Sequence, residues 1–572
     1  MLTKPKFKDS FHVEVIDAHS VCLLSENAYG ILNGRVYANL APLLTGQHTV
    51  TEIVHLLDGK LSPPEVYYGL AQMEAQHYLV EANGSLPIEQ TAFWHSLGVD
   101  SHLASNRLHR TSVSLTAVGK SDPQPLIQAL QQLDIQVVDE GDLMVVCTDD
   151  YLRPDLEKIN QQAVAAGRPW MLVRLEGSAA WVGPLFKPGA TGCWACLAQR
   201  LAANRQLESF ILRKTGRTGA LDMTLAALPS TRLAGANLAA TEIVKWILQE
   251  RNPQVEGKLI TFNMLSAEVQ SHVLVRRPQC PVCGSPQDYQ VLKPIQLESR
   301  PKRFTSEAGH RSAIPDETFA RYAHHISPIT GVVSWLGDSS GEVNGLAYSY
   351  SAGHNFAMVQ DNLYWLQNNL RSRTGGKGAT EIQAKVSAMC EAIERYSAVY
   401  RGDELTVRGS YQALAPKGVS LPACLCFSDK QYAQRQLWNN QLTDSPFHIV
   451  PNPFNEMQEM DWSPVWSLTH HEFKYMPTAF CYFGHPESRS LFFCAGDSNG
   501  TSAGNTLEEA ILQGFLELVE RDSVALWWYN RVKRPAVDLD SFNLPYLRAL
   551  TAYYREHQRE LWVIDLTSDL QI

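Results

Sequence analysis

Two stretches of this 572-residue chain carry carboxylates at a spacing that can do chemistry. Residues 380–395 read TEIQAKVSAMCEAIER, and residues 506–521 read TLEEAILQGFLELVER. With Thr380 set against Thr506, Ser387 matches Gln513, Glu391 matches Glu517, Glu394 matches Glu520 and Arg395 matches Arg521. On a helix, positions i, i+4 and i+7 share a face. Each copy therefore projects one hydrogen-bonding side chain and two carboxylates in a stripe. Apolar residues surround both stripes: Ala384, Val386, Met389, Cys390, Ala392 and Ile393, then Ile511, Leu512, Phe515, Leu516, Leu518 and Val519. Helices apolar on most sides are expected to be buried, and buried carboxylates need a cationic partner. If the stripes converge, four carboxylates share one site and repel unless a cation is bound. Mg²⁺ suits that set, as a hard cation taking carboxylates together with substrate phosphates. Two solvated Glu stripes are the alternative; a single copy would leave it open, and two copies in register disfavour it.

Helices must position these stripes, and each copy opens Thr-x-x-Gln or Thr-x-x-Glu, the pattern of a capping box. Ahead of the first lies Gly375-Gly376-Lys377-Gly378. It is not a Walker A loop, because no Ser or Thr follows the Lys. It reads as a flexible loop before a helix N-terminus, where anions are favoured, with Lys377 as a phosphate contact or an ordinary solvated lysine. A separate signal is Cys193-Trp194-Ala195-Cys196 with Cys280-Pro281-Val282-Cys283. Two C-x-x-C pairs in loop-like sequence make a tetrathiolate set with no open coordination position, so structural Zn²⁺ is expected. Redox pairs or free thiols are the alternatives.

The length argues for three or four domains, and the composition is that of an ordinary globular protein. A net charge of −10 counts against a nucleic-acid binder. No apolar run reaches the ~18 residues of a membrane span, and the N-terminus lacks the apolar core of a secretory signal. Eleven Cys, four of them in C-x-x-C pairs, fit a reducing cytoplasm.

Residues 1–90 read as a small winged-helix module. Strands are expected at Phe11–Ile16, Val21–Leu24 and around Ile31-Leu32. Helices are expected at Val36–Leu44, Thr51–Leu57 and Pro63–Gln76, with a closing strand at Tyr78–Val80 and a turn at Asn83-Gly84. DNA binding is disfavoured, since residues 1–100 hold five Lys/Arg against eleven Asp/Glu. Residues 105–290 read as an α/β domain with a parallel sheet. Its strands are expected at Asp142–Cys147 and Pro169–Leu175, and its helices at Pro125–Leu133, Leu156–Ala166 and Gly235–Gln249. Residues 291–315, rich in Pro, Ser and basic residues, read as a linker. Residues 316–572 hold both Glu stripes. Trp527-Trp528-Tyr529 are expected in the core, and the paired histidines have no metal spacing.

S-x3-E-x2-E-R and Q-x3-E-x2-E-R, after GGKGAT and GNT, resemble the nucleotide-binding core of YcaO proteins. Residues 346–398 resemble the YcaO domain of cyanobactin heterocyclases in particular. The resemblance implies ATP-dependent modification of a peptide backbone amide in a ribosomal precursor peptide. A Cys thiol, or a Ser/Thr hydroxyl, attacks the preceding carbonyl, ATP phosphorylates the amide oxygen, and a thiazoline or oxazoline remains. It implies Glu391, Glu394, Glu517 and Glu520 as Mg²⁺ ligands, and Ser387, Arg395, Gln513, Arg521 and Lys377 as ATP contacts; no catalytic base is singled out. Residues 1–90 resemble the precursor-peptide recognition element of peptide-modifying enzymes, where a leader peptide adds as a strand. Carried over, the leader site comprises Tyr29, Ile31 and Leu32 on the edge strand with Val66, Leu70 and Met73 on the third helix. An ordinary edge strand covered by the next domain is the alternative. The middle domain resembles ThiF-type adenylating enzymes. It departs from them at Val113–Pro123, where Gly119 is the only glycine of the expected phosphate loop. It reads as a retained scaffold. A thioamide-forming enzyme, a ThiF-type adenylating enzyme and a non-catalytic peptide-binding scaffold are the rival functions; a homodimer is compatible with the sequence.

Leu561–Leu566 (LWVIDL) reads as a buried strand with nothing after it to cover it. YcaO heterocyclases continue further, so the YcaO domain is expected to be partial, C-terminally truncated and weakly active.

Overall fold

The computed structural model describes all residues except 1, 83–86, 290, 307–308, 340–344, 355–361, 371 and 442–448, and the side chains of 289, 365, 368 and 369. The expected turn at Asn83-Gly84 and part of the 346–398 stretch lie outside the described residues. The chain forms two compact units, 1–151 with 166–187 and 224–271, and 152–165 with 188–223 and 272–572.

The first unit begins with the expected winged module. Strands His12–Val15, Ser20–Leu24 and Tyr29–Asn33 form an antiparallel sheet in that order, so Tyr29–Asn33 has an open edge. Pro5–Phe7 pairs with Leu79–Glu81. Helices span Arg35–Leu40, Val50–Leu56 and Pro63–Ala75. The period-2 alternation of the third strand turns Leu32 into the core and leaves Tyr29 and Ile31 exposed. The leader-site assignment of Val66, Leu70, Met73 and Leu32 is corrected here: all four are buried in the module's own core with Val21, Leu23, Leu40 and Ile53. Gly69, on the same helix, lets it lie close to Val36 and Leu40, where a Cβ would clash.

The rest of this unit is built on a seven-stranded sheet. Its order is Glu268–Val273, Lys258–Asn263, Ala179–Phe186, Trp170–Arg174, Leu143–Thr148, Ser112–Val118, Gln136–Val137. The last four run parallel, as expected. Ala179–Phe186 runs antiparallel to both neighbours. The connection from Arg174 to Ala179 is far shorter than the dozen or so residues a parallel crossover needs. Val145, Cys147, Met171 and Val173 are fully buried in the same core as Ala236, Ala239 and Ile243 of helix Pro229–Gln249.

In the second unit, Val333–Asp338, Tyr348–His354 and Arg373–Gly378 form an antiparallel sheet. The first Glu helix, Glu381–Ser397, packs on it through Ala384, Ala388, Met389 and Ala392 against Val333, Tyr350 and Ala352. Gly375–Gly378 is thus a strand and not the expected flexible loop. A Cβ on Gly376 would overlap backbone atoms of Ala384 and Ala388, so this strand meets the helix at a distance only glycine allows. A second sheet joins Val407–Gly409, Met460–Ser467 and Glu472–Pro477. The second Glu helix, Leu507–Asn530, departs from expectation: Leu512, Phe515, Leu518, Trp528 and Tyr529 are exposed. Leu561–Leu566 is not a strand either. It makes one isolated bridge, Ala536 to Ile564, and Trp562 is 82% exposed. Among the described residues, no helix is long and apolar enough to cross a membrane.

Candidate functional site

The two Glu helices share one cleft of about 700 Å³, lined by Ser387, Glu391 and Glu394 from the first, Gln513 and Glu517 from the second, and Lys377 from the glycine strand. Both helices start as their sequences suggest, with one adjustment. The side chain of Gln383 accepts from the N–H of Ala379 at 2.9 Å, and that of Glu509 from the N–H of Asn505 at 2.9 Å. In each copy the acceptor reaches one residue further back than a standard capping box. Thr506 adds the reciprocal bond, accepting from Glu509 N–H at 3.3 Å.

Arg395 ties the first stripe together. Its guanidinium lies 3.2 Å from Glu391 and 3.7 Å from Glu394. Glu391 also accepts the N–H of Gly375 at 3.2 Å, and Glu394 the hydroxyl of Thr501 at 3.3 Å. The Glu394 side chain is 13% exposed. Burial pushes its carboxyl up to about 7; Glu391 and Glu517 add to this, and Arg395 and Thr501 oppose it. Glu394 and Glu517, from the two helices, line the same cleft, near enough for one charge to raise the other's carboxyl. Carboxylates are the ligand type that a hard divalent cation takes. Glu520 and Arg521 do not line the cleft; Glu520 is 65% exposed and pairs with Arg521 at 3.4 Å.

Sequence reasoning missed one wall of this cleft. Lys302, Phe304, His310 and Arg311, from the stretch read as a linker, line it. Arg311 donates to Gln513 at 3.2 Å, and the N–H of Ser312 to Glu509. The basic residues of that stretch were the available signal.

The four Cys converge as expected. Cys193 and Cys280 sulfurs are 3.7 Å apart, those of Cys196 and Cys283 3.5 Å, and all four lie within 4.8 Å of one another. A zinc tetrathiolate with Zn–S near 2.3 Å sets sulfurs about 3.8 Å apart, so the residues fit the ion. Cys193 caps helix Trp194–Asn204, and the N–H of Arg277 donates to Cys196 Sγ at 3.4 Å. Asp461, His485 and Glu487 also cluster, but Arg408 already pairs with both carboxylates.

Comparison with known proteins agrees with this layout. Residues 375–572 match the family model YcaO cyclodehydratase, ATP- and Mg²⁺-binding. Residues 112–282 match the ThiF family and residues 6–81 a winged helix-turn-helix domain. A heterocyclase solved in complex with substrate and cofactor is 45% identical, with a TM-score of 0.93 over 99% of this chain and 77% of that one. The chain belongs to the cyanobactin-type ThiF/YcaO fusion heterocyclases. The heterocyclase TruD is similar too, at 40% identity and a TM-score of 0.83 over 99% of this chain and 76% of that one. An uncharacterized protein of Methanothermobacter thermautotrophicus is 28% identical over 199 residues, 34% of this chain and 44% of that relative. The match thus spans less than half of that curated relative. The class of the family is that of ATP-dependent peptide heterocyclases.

In this heterocyclase both Glu helices fall inside the YcaO match. The ThiF-like sheet keeps the strand–loop–helix order of a phosphate site, but its donors are taken. After strand Ser112–Val118, the N–H of Lys120 donates to Asp149 at 3.0 Å, and Ser121 Oγ and the N–H of Asp122 donate to Glu176 at 3.2 and 3.4 Å. In the winged module, no strand among the described residues pairs with the outer edge of Tyr29–Asn33, where Tyr29 and Ile31 are exposed.

Proposed function

We propose that this heterocyclase is an ATP-dependent cyclodehydratase acting on Cys, or Ser/Thr, of a ribosomal precursor peptide. The observation that carries the reading is the meeting of Glu391, Glu394 and Glu517 with Ser387, Gln513 and Lys377 around one cleft. Glu391, Glu394 and Glu517 would hold Mg²⁺, with Glu520 one turn further along the same face. When bound, Mg²⁺ neutralises charge on the phosphates of ATP. Arg395 holds Glu391 and Glu394 in place; Ser387, Gln513, Lys377 and Arg311 contact the nucleotide. Arg521 reaches it only if its pairing with Glu517 and Glu520 opens.

The substrate thiol gives up its proton and adds to the preceding carbonyl carbon, and the amide oxygen takes the γ-phosphoryl group, leaving ADP. The C–O bond then breaks, phosphate departs with its electron pair, and loss of the N–H proton leaves the ring C=N. Amide oxygen is a poor leaving group and phosphate a good one, so the chain's work is positioning and charge neutralisation. Residues 1–90 would bind the leader by strand addition along Tyr29–Asn33. Residues 105–290 would act as a scaffold clasped by structural Zn²⁺, and residues 316–572 as the ATP-using domain.

The test is incubation with Mg·ATP and a leader-bearing peptide containing Cys, followed by mass spectrometry. Each ring formed removes the mass of one water. Glu391→Gln should abolish this while leader affinity stays nearly intact. Undiminished turnover by Glu391→Gln would defeat the assignment.

A further inference from the structure

The second unit holds another cleft, of about 580 Å³, that shares no lining residue with the carboxylate cleft. Five cations line it, Arg200, Arg276, Arg277, Lys293 and Arg401, against two acids, Asp403 and Glu404. In a chain of net charge −10, such an excess needs a reason. The acids are already engaged. Asp403 pairs with Arg277 at 3.1 Å, and Glu404 accepts the N–H groups of Arg401 and Gly402, both at 2.8 Å. The zinc tetrathiolate, with two net negative charges when the metal is bound, offsets Arg276, whose guanidinium donates to the Cys283 carbonyl, while the main-chain N–H of Arg277 donates to Cys196 Sγ. Lys293 is left over, and so are Arg200 and Arg401, of which Arg401 donates to the uncharged Tyr396 carbonyl at 3.3 Å. The guanidinium groups of Arg200 and Arg401 lie 4.4 and 3.8 Å from the ring of Tyr396. An aromatic face attracts a cation but does not neutralise it. Arg200 is only 8% exposed, and its Nη1 has no hydrogen-bond partner among the described residues. The indole N–H of Trp466, in the same wall, is also buried without an acceptor. Buried guanidinium groups are rarely left unpaired, because the desolvation they suffer needs a compensating acceptor.

We infer that this cleft binds an oxyanion, a phosphate or a carboxylate group, between Arg200, Arg401 and the Trp466 indole N–H. Its planar guanidinium donors suit bidentate binding of either group. The site stands independently of the reading of the carboxylate cleft.

The test is calorimetric titration of the full zinc-loaded chain with inorganic phosphate and, separately, with glutarate, using chloride at matched ionic strength as the control. Saturable binding of at least one probe is expected. Arg200→Gln and Arg401→Gln should each weaken it by about tenfold or more, the worth of one charge-assisted hydrogen bond. Lys377→Ala, which alters the other cleft, should leave it unchanged. Zinc content equal to the wild type establishes that Arg200→Gln is folded; Arg401, less buried, gives a second variant. Binding of phosphate alone assigns a phosphate-bearing ligand, and binding of glutarate alone a carboxylate-bearing one. Absence of saturable binding by either probe overturns the inference. So does binding lost in Lys377→Ala but kept in both arginine variants.

Discussion

Holding Glu394 in the cleft costs stability, and the cost can be measured. Its carboxyl moves from an ordinary 4.5 to about 7 on burial. At about 1.4 kcal/mol per pH unit, that difference is worth about 3 kcal/mol. Between pH 4.5 and 7 the folded chain keeps a proton that the unfolded chain has released. The metal-free protein therefore has this contribution in full below pH 4.5 and loses it as pH rises to 7. Glu394→Gln is neutral throughout, so it should stabilise the metal-free protein by up to about 3 kcal/mol at pH 8 and by little at pH 4.5. Hydrogen exchange at the amides of helix Glu381–Ser397 reads this locally. Mg²⁺ needs the ionised carboxylate, so binding at pH 6 should expel close to one proton and be about tenfold weaker than at pH 8. Calorimetry with Mg·ATP in two buffers of different ionisation heat counts that proton. Subtracting the Glu394→Gln result removes the titration of the nucleotide itself. The reasoning fails if the wild type releases no extra proton and Glu394→Gln is no more stable at pH 8.

Chelation or Cys280→Ser should release one zinc per chain and lower the melting temperature by several degrees, since the clasp joins segments 87 residues apart; unchanged melting of metal-free protein counts against a structural role. Ile31→Asp, at an exposed edge position, should weaken leader binding about tenfold in fluorescence anisotropy with circular dichroism unchanged, whereas the buried Val66→Asp should unfold the module. Arg311→Ala should raise the KM for ATP about tenfold by removing a charge and its bond to Gln513; unaltered steady-state kinetics would make the former linker a passive wall. ATP should yield ADP and phosphate, in the wild type and in Glu176→Gln alike; AMP and pyrophosphate on chromatography would place adenylation in the ThiF-like loop.

The carboxylate spacing and the Cys pairs were legible because helical period and ligand type are local properties of the chain. Three features were not, each for a tertiary reason. Arg373–Gly378 has few β-branched residues, and its glycines make sense only against the backbone of Ala384 and Ala388. Residues 291–315 have a linker's composition, yet Lys302 and Arg311 line the cleft that holds Glu391, Glu394 and Glu517. Apolar flanks implied a buried second Glu helix, but periodicity does not say what packs against Phe515 or Leu518. The i, i+4, i+7 run of Val66, Leu70 and Met73 points the other way: it is the signature of a core face, and the module uses it as one.

The two nucleotide-site geometries in this chain differ in what their acids do. In the ThiF-like loop, Glu176 and Asp149 accept the N–H and O–H donors that a phosphate would need. An anion entering there must displace carboxylates from bonds they already make and then sit beside their charge. In the YcaO cleft, Glu391 and Glu394 share Arg395, Glu517 pairs with Arg521, and Lys302, Arg311 and Lys377 line the same walls. A cation held by those acids would, together with the lysines, attract phosphate. Carboxylates that occupy the phosphate donors of one loop would, in the proposed reading, hold the cation that brings phosphate to the other.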